Sequence, residues 1–241
     1  QLISMNSIGI IMMEVSRNKS LDAKFLNHVR KVSKKKGIIL IFDECTSGFR
    51  ETLGGIYKKI HIQPDMIVLG KALGNGYPIT AILGKKEIMV YANQTFISST
   101  FWTERIGPVA ALKTLTIMEK LKSWEIITNN GKYLNKQWLK IAKENNLNIQ
   151  INGLPSISKF AIKSKNFQAY KTFITQEMLK KGFLASSSVY LSVFHEKKVL
   201  DNYLDNLNDI FKIIKKCEQK EKNILDLLSY PVSKKPFSRL N

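Results

Sequence analysis

Lys71 follows the apolar run Met66-Ile67-Val68-Leu69, inside the small-residue turn Gly70-Lys71-Ala72-Leu73-Gly74-Asn75-Gly76. A lysine in that setting is not placed for solubility. Upstream, a second apolar run, Ile38-Ile39-Leu40-Ile41-Phe42, ends in Asp43. Two strands ending in an amine and a carboxylate would deliver both groups to one rim of a sheet. The pair suits pyridoxal 5'-phosphate, with the lysine as Schiff-base former and the aspartate as partner of the pyridine nitrogen. A carboxylate there keeps the ring protonated, so that it can drain charge from a substrate carbon that has lost a proton. The lysine must spend time as a neutral amine, and a buried setting is therefore expected around it. Gly70, Gly74 and Gly76 would let backbone approach a bulky ring closely.

Other polar residues are less decided. Glu44 either orients the strand end or touches substrate. Arg105 either holds a substrate carboxylate bidentately or makes a structural ion pair. Cys45 reads as a small buried residue rather than a catalytic thiol, since no histidine is close in sequence. Gly74-Asn75-Gly76 lacks the third glycine of a dinucleotide-binding turn. His28, His61 and His195 are isolated, no Cys/His cluster has metal-ligand spacing, and no metal is expected.

The elements that must position these groups follow from apolar periodicity. Ile8 to Val15 is a continuous apolar run, the pattern of a strand covered on both faces. Ser20 is expected to cap a helix through Phe25, Val29 and Val32, which ends in lysines before Gly37. Strand, helix and strand at this spacing predict a parallel βαβ unit. Met66 to Leu69 and Ile79 to Leu83 read as further strands. Gly107-Pro108 opens a helix through Leu121, and another is expected from about Trp124 to Asn145. Strands around Asn152-Gly153-Leu154-Pro155, a helix from Phe167 to Lys181, a strand from Phe183 to Val193 and a helix through Val199 and Ile214 complete the reading. A boundary is expected near residue 122, dividing the α/β part, 1–122, from a smaller α+β domain, 123–241.

The 241 residues carry 38 Lys and Arg against 19 Asp and Glu, a formal net charge of +19. The lysines are spread along helices (Lys31, Lys34, Lys35, Lys36, Lys132, Lys136, Lys140), arginines are few, and no nucleic-acid-binding signature accompanies them. A nucleic-acid partner is not expected. No apolar run reaches the roughly 20 residues of a membrane span. No signal peptide is read, and the two cysteines, Cys45 and Cys217, fit a reducing cytoplasm. The chain begins at Gln1 and soon enters a strand, so it reads as a piece of a longer protein.

Phe42-Asp43-Glu44-Cys45-Thr46-Ser47-Gly48-Phe49-Arg50, then Pro64-Asp65, then Gly70 to Gly76, resembles the signature of the class III aminotransferases, fold-type-I pyridoxal-phosphate enzymes that include glutamate-1-semialdehyde aminomutase. Ser99 to Pro108 resembles the segment that follows the lysine loop there. The resemblance is firm over about residues 8 to 122 and looser beyond. It implies an α/β fold: part of a fold-type-I large domain, a mostly parallel sheet with helices, then a smaller α+β C-terminal domain. It implies that Lys71 forms the Schiff base, Asp43 bonds the pyridinium nitrogen, Cys45 takes the place of a usual valine on the ring face, Thr100 bonds the cofactor phosphate of a neighbouring subunit in a homodimer, and Asn18 approaches the ring hydroxyl. The family's Glu-Pro dipeptide is Glu14-Val15 here. Its phosphate-binding Gly/Ser turn and ring-stacking aromatic lie upstream of this chain. Three readings follow: an aminotransferase moving an amino group between an amino donor and a carbonyl acceptor, an aminomutase on the same scaffold, or a non-catalytic truncated chain that lacks part of the cofactor pocket.

Overall fold

Four short strands in sequence order form the sheet that carries the candidate site. The computed structural model describes residues 8–16, 22–98, 100–101 and 103–234. The chain divides into two compact units, residues 1–126 and 127–241.

In the first unit, β1 (Ile10–Glu14) runs parallel to β2 (Ile39–Asp43), and β2 runs parallel to β3 (Met66–Leu69). Between β1 and β2 lies α1 (Ala23–Lys35). Its start is fixed by Asp22, whose side chain accepts from the Phe25 amide at 3.0 Å. The expected cap, Ser20, lies outside the described residues. Lys34 and Lys35 in the last turn, and Gly37 at φ +65 just beyond, stop the helix as the sequence predicts. Leu26 and Val29 give the helix its buried stripe, and Leu40 and Phe42 of β2 are fully buried.

The expectation for β1 is not met. It lies at the edge of the sheet with alternate residues exposed, Ile10 and Met12 among them. An apolar run reports that a strand can be covered on both faces, but only neighbouring elements cover it.

The connection from β2 to β3 includes the single-turn helix α2 (Tyr57–Ile60). After β3, residues 71–73 form a 3₁₀ turn, and β4 (Ala81–Gly84) returns antiparallel to β3. The short helix α3 (Lys86–Met89) follows, and α4 (Ile106–Leu121) is the long helix of this unit. Its buried Ala111 packs with Phe49, Ile67, Leu69 and Leu73. Glu104 caps it by accepting from the Ile106 and Gly107 amides.

Helix α5 (Ser123–Glu144) leads into the second unit. There β5 (Ile149–Asn152) pairs antiparallel with β6 (Lys159–Ile162), joined by a 3₁₀ turn over Pro155–Ile157. The core gathers Trp138 from α5, Phe160 from β6, Tyr170 and Phe173 from α6 (Phe167–Lys180), and Leu207 and Phe211 from α7 (Lys197–Glu218). Trp138 meets Phe160 edge-on at 4.9 Å, and Phe160 meets Phe211 at 5.7 Å.

Phe183 to Val193 is not a strand. It forms one isolated bridge, Ser188 to Lys159, with the Phe160 and Val189 amides bonding the Ser187 and Ser158 carbonyls. Alternating apolar residues there bury Leu191, but no continuous ladder forms. Among the described residues, no helix is long and apolar enough to cross a membrane.

Candidate active site

The carboxyl ends of β1 and β2 lie side by side, with Glu14 in register with Asp43 and Asp43 in register with Val68 on β3. Three residues past Val68 comes Lys71. Strand alternation buries Phe42 and leaves Asp43 half-buried at the rim. Asp43 Oδ1 accepts from the Cys45 amide at 3.0 Å, which closes a tight turn directly after the strand.

The chain then turns through Thr46, Ser47 and Gly48, all buried. Gly48 is required there, because a Cβ would lie 2.7 Å from both the Glu44 carbonyl oxygen and Leu69 Cδ2. Glu44 is fully buried and faces away from open space. It accepts from the Ile56 amide, from the Tyr57 amide at 3.1 Å and from the Ser47 hydroxyl at 3.1 Å. Of the two roles open to Glu44, this geometry is that of a brace between the β2 turn and the start of α2. Burial pushes its carboxyl above the usual range, against the lowering effect of those three hydrogen bonds.

Lys71 adopts φ +47, a left-handed conformation uncommon for a residue with a Cβ. Its side chain reaches back over the end of β2, where Nζ donates to Thr46 Oγ1 at 2.6 Å. The expectation of a buried lysine is corrected: Lys71 is exposed. Gly70 is fully extended, and a Cβ on it would come within 3.2 Å of Thr80 Cγ2 and 3.4 Å of Cys45 Sγ. The turn thus lies against the residues after β2.

Cys45 reports how closely the groups gather. Burial pushes its thiol up, Asp43 pushes it further through its charge and a hydrogen bond, Lys71 pulls it down, and Glu14 raises it again. The Asp43–Cys45 hydrogen bond, the Lys71–Thr46 hydrogen bond and the approach of Gly70 to Cys45 Sγ gather Asp43, Cys45, Thr46 and Lys71 into one cluster. Thr100 and Arg105 are exposed, Arg105 at the N-terminal boundary of α4. Asn18 lies outside the described residues. Thr46 is the member that sequence reasoning missed. It stands inside the signature, but its partner is 25 residues away and no local pattern names it.

An amine, a carboxylate and a small side chain at one strand rim fit the aldehyde, pyridine nitrogen and ring face of pyridoxal phosphate. An open cavity of about 370 Å³ elsewhere in the unit is lined by Tyr57, Asp65, Ile67, Leu83 and Lys85 among others, and none of the cluster lines it. Among the described residues, no group of His, Cys, Asp and Glu has metal-binding geometry.

Residues 19–214 match the family model for aminotransferase class-III, more than half of the chain. The chain belongs to the class-III aminotransferase family. It is 32% identical over 182 residues to a 3-aminobutyryl-CoA aminotransferase from Cloacimonas acidaminovorans, covering 75% of this chain and 43% of that protein. It is 31% identical over 208 residues to a glutamate-1-semialdehyde 2,1-aminomutase from Sulfurihydrogenibium azorense, covering 79% and 49%. Among solved structures it resembles the PLP internal aldimine form of the FumI protein from Sphingopyxis sp. MTA144, with TM-score 0.83, 20% identity and coverage of 94% of this chain and 57% of that one. An omega-transaminase from Sphaerobacter thermophilus matches with TM-score 0.71, 20% identity and coverage of 80% and 48%. The fold is that of part of a fold-type-I transferase. This class-III chain spans about half the length of the curated relatives it matches.

Proposed function

We propose that this chain carries the lysine-bearing portion of a pyridoxal-phosphate-dependent aminotransferase. The observation that supports the reading is the Lys71 amine turned back over the end of β2, within the same cluster as Asp43 and Cys45. Lys71 would hold the cofactor's aldehyde carbon, Asp43 its ring nitrogen and Cys45 one face of its ring. Thr100 would hold the phosphate of a neighbouring subunit's cofactor, which makes the active form a homodimer. When bound, the cofactor supplies an electron sink for the substrate carbon that loses its proton.

The chain's own part is proton handling and orientation. Lys71 Nζ, once released, is the base that takes a proton from the amino donor and the acid that returns it. Asp43, fixed by the Cys45 amide, places its carboxyl group at the strand end, where it would partner a ring nitrogen. The buried Glu44 brace keeps the Asp43 turn in place. Arg105, exposed at the start of α4, is the candidate for a substrate carboxylate.

The relatives named glutamate-1-semialdehyde 2,1-aminomutase support a second reading, in which donor and acceptor are one carbon skeleton. An assay with a single amino-aldehyde substrate separates the two, because only the aminomutase turns over without a second substrate.

Addition of pyridoxal phosphate to the purified chain, borohydride reduction and mass spectrometry test the site. A label on Lys71 is expected. Labels scattered over exposed lysines would overturn the reading for this chain and favour a truncated, non-catalytic one.

A further inference from the structure

We propose that Thr46 is the positioning residue for Lys71, its hydroxyl holding Nζ at the strand rim in both the ammonium and the neutral amine form. The inference rests on the reading of Lys71 as the reactive amine, but its contact is independent of any cofactor.

Nζ lies 2.6 Å from Thr46 Oγ1, and the two residues come from turns after different strands. Thr46 is 7% exposed and therefore held, whereas the lysine is exposed. A lysine side chain has many rotamers to choose among, and holding it in one costs entropy. One fixed partner is what selects the rotamer that crosses to β2. The backbone contributes to the aim: Lys71 is left-handed at φ +47, in a turn held by the Gly74 and Asn75 amides on the Lys71 carbonyl at 3.2 and 3.0 Å. A non-glycine residue kept in that region at a reactive rim marks a conformation the surroundings impose.

The identity of the partner matters. A carboxylate facing Nζ would only accept, and would favour the ammonium. A hydroxyl both accepts and donates. When the ammonium gives its proton to water, the Thr46 O–H can rotate and donate to the nitrogen lone pair, so the amine stays in place as it becomes a nucleophile. Asp43, the nearby carboxylate, is engaged instead by the Cys45 amide at 3.0 Å.

The test uses the cofactor-free chain. Trace acetic anhydride is applied from pH 6 to 11, and acetylation of each lysine is read by mass spectrometry. Thr46→Val keeps the shape and removes the hydroxyl; Thr46→Ser restores it. Lys71 should label about fivefold faster in the Val variant, the population change that corresponds to one hydrogen bond of about 1 kcal/mol. The Ser variant should match the parent chain. Equal Lys71 rates in the parent and Val chains would overturn the proposal. If the Val variant fails to fold, the parent chain decides alone: Lys71 must label more slowly than the exposed Lys113 and Lys136, and equal rates would sink the idea. Borohydride fixation of pyridoxal phosphate in the parent chain reports separately on the cofactor reading. Slow labelling of Lys71 with cofactor fixed elsewhere would refute that reading and leave the Thr46 contact standing.

Discussion

Both carboxylate oxygens of Asp65 are held by the guanidinium of Arg30, at 2.6 and 3.0 Å. Lys85 joins at 2.7 Å, and the Leu40 amide donates to the same carboxylate at 2.9 Å. One buried aspartate thus ties α1, β2 and the end of β4 to the start of β3. Burial pushes the Asp65 carboxyl up, but the Arg30, Lys85 and Leu40 hydrogen bonds outweigh it and hold it well below the usual carboxylate range. Its contribution to stability is then complete above the unfolded value of about 3.9 and fades as pH falls below it.

Asp65→Asn keeps the shape and leaves Arg30 without its counter-charge. We expect a loss of about 3 kcal/mol at neutral pH. Urea denaturation at pH 7 and pH 3 checks the sign: the gap between parent and variant should narrow at pH 3. A gap that widens in acid would show that Asp65 is not held ionised.

Glu44→Ala strands the Ile56 and Tyr57 amides and the Ser47 hydroxyl in the interior. A loss of about 3 kcal/mol is expected. The pH sign opposes that of Asp65. The Glu44 carboxyl is raised by burial, so its ionisation costs stability as pH climbs above the unfolded value of about 4.3. Denaturation curves should therefore show the Glu44→Ala penalty largest in mild acid.

Gly74→Ala tests the turn that carries Lys71. The added Cβ would lie 2.1 Å from the Tyr77 carbonyl oxygen and 2.7 Å from Ile79 Cγ2. Backbone must move to admit it, at a cost of about 2 kcal/mol. Trypsin should cut after Lys71 faster in the variant, and unchanged cleavage there would show that the turn absorbs the methyl group.

Gly131→Ala probes the second unit. Its Cβ would fall 1.8 Å from the Pro155 carbonyl oxygen and 3.0 Å from Leu191 Cδ1, so α5 would have to part from the 3₁₀ turn. Fluorescence of the buried Trp138 should report unfolding at lower urea, with a loss of about 3 kcal/mol. A midpoint equal to the parent's would mean that the helix and the turn part without cost to admit the methyl group.

Much of this molecule is legible in its residues. Apolar runs with short spacing encode β2, β3 and the helix between β1 and β2, because local burial patterns and cap residues act within a few positions. Asp43 and Lys71 are legible as strand-end groups for the same reason. The 3.6-residue repeats of Val199 to Ile214 yield α7 because one stripe must be buried.

The remainder depends on neighbours distant in the chain. Whether Ile10 and Met12 are covered is a property of what packs on β1, not of β1. Phe183 to Val193 has strand-like residues but finds only one bridge to β6. Glu44 becomes a brace because the amides of Ile56 and Tyr57, 12 and 13 residues later at the start of α2, are aimed at it. Composition and spacing alone determined that this chain carries a reactive-looking lysine and an aspartate at the ends of two apolar strands. Only tertiary structure decided that the lysine is exposed and that a threonine 25 residues away holds its nitrogen, since a hydrogen bond is set by distance in space.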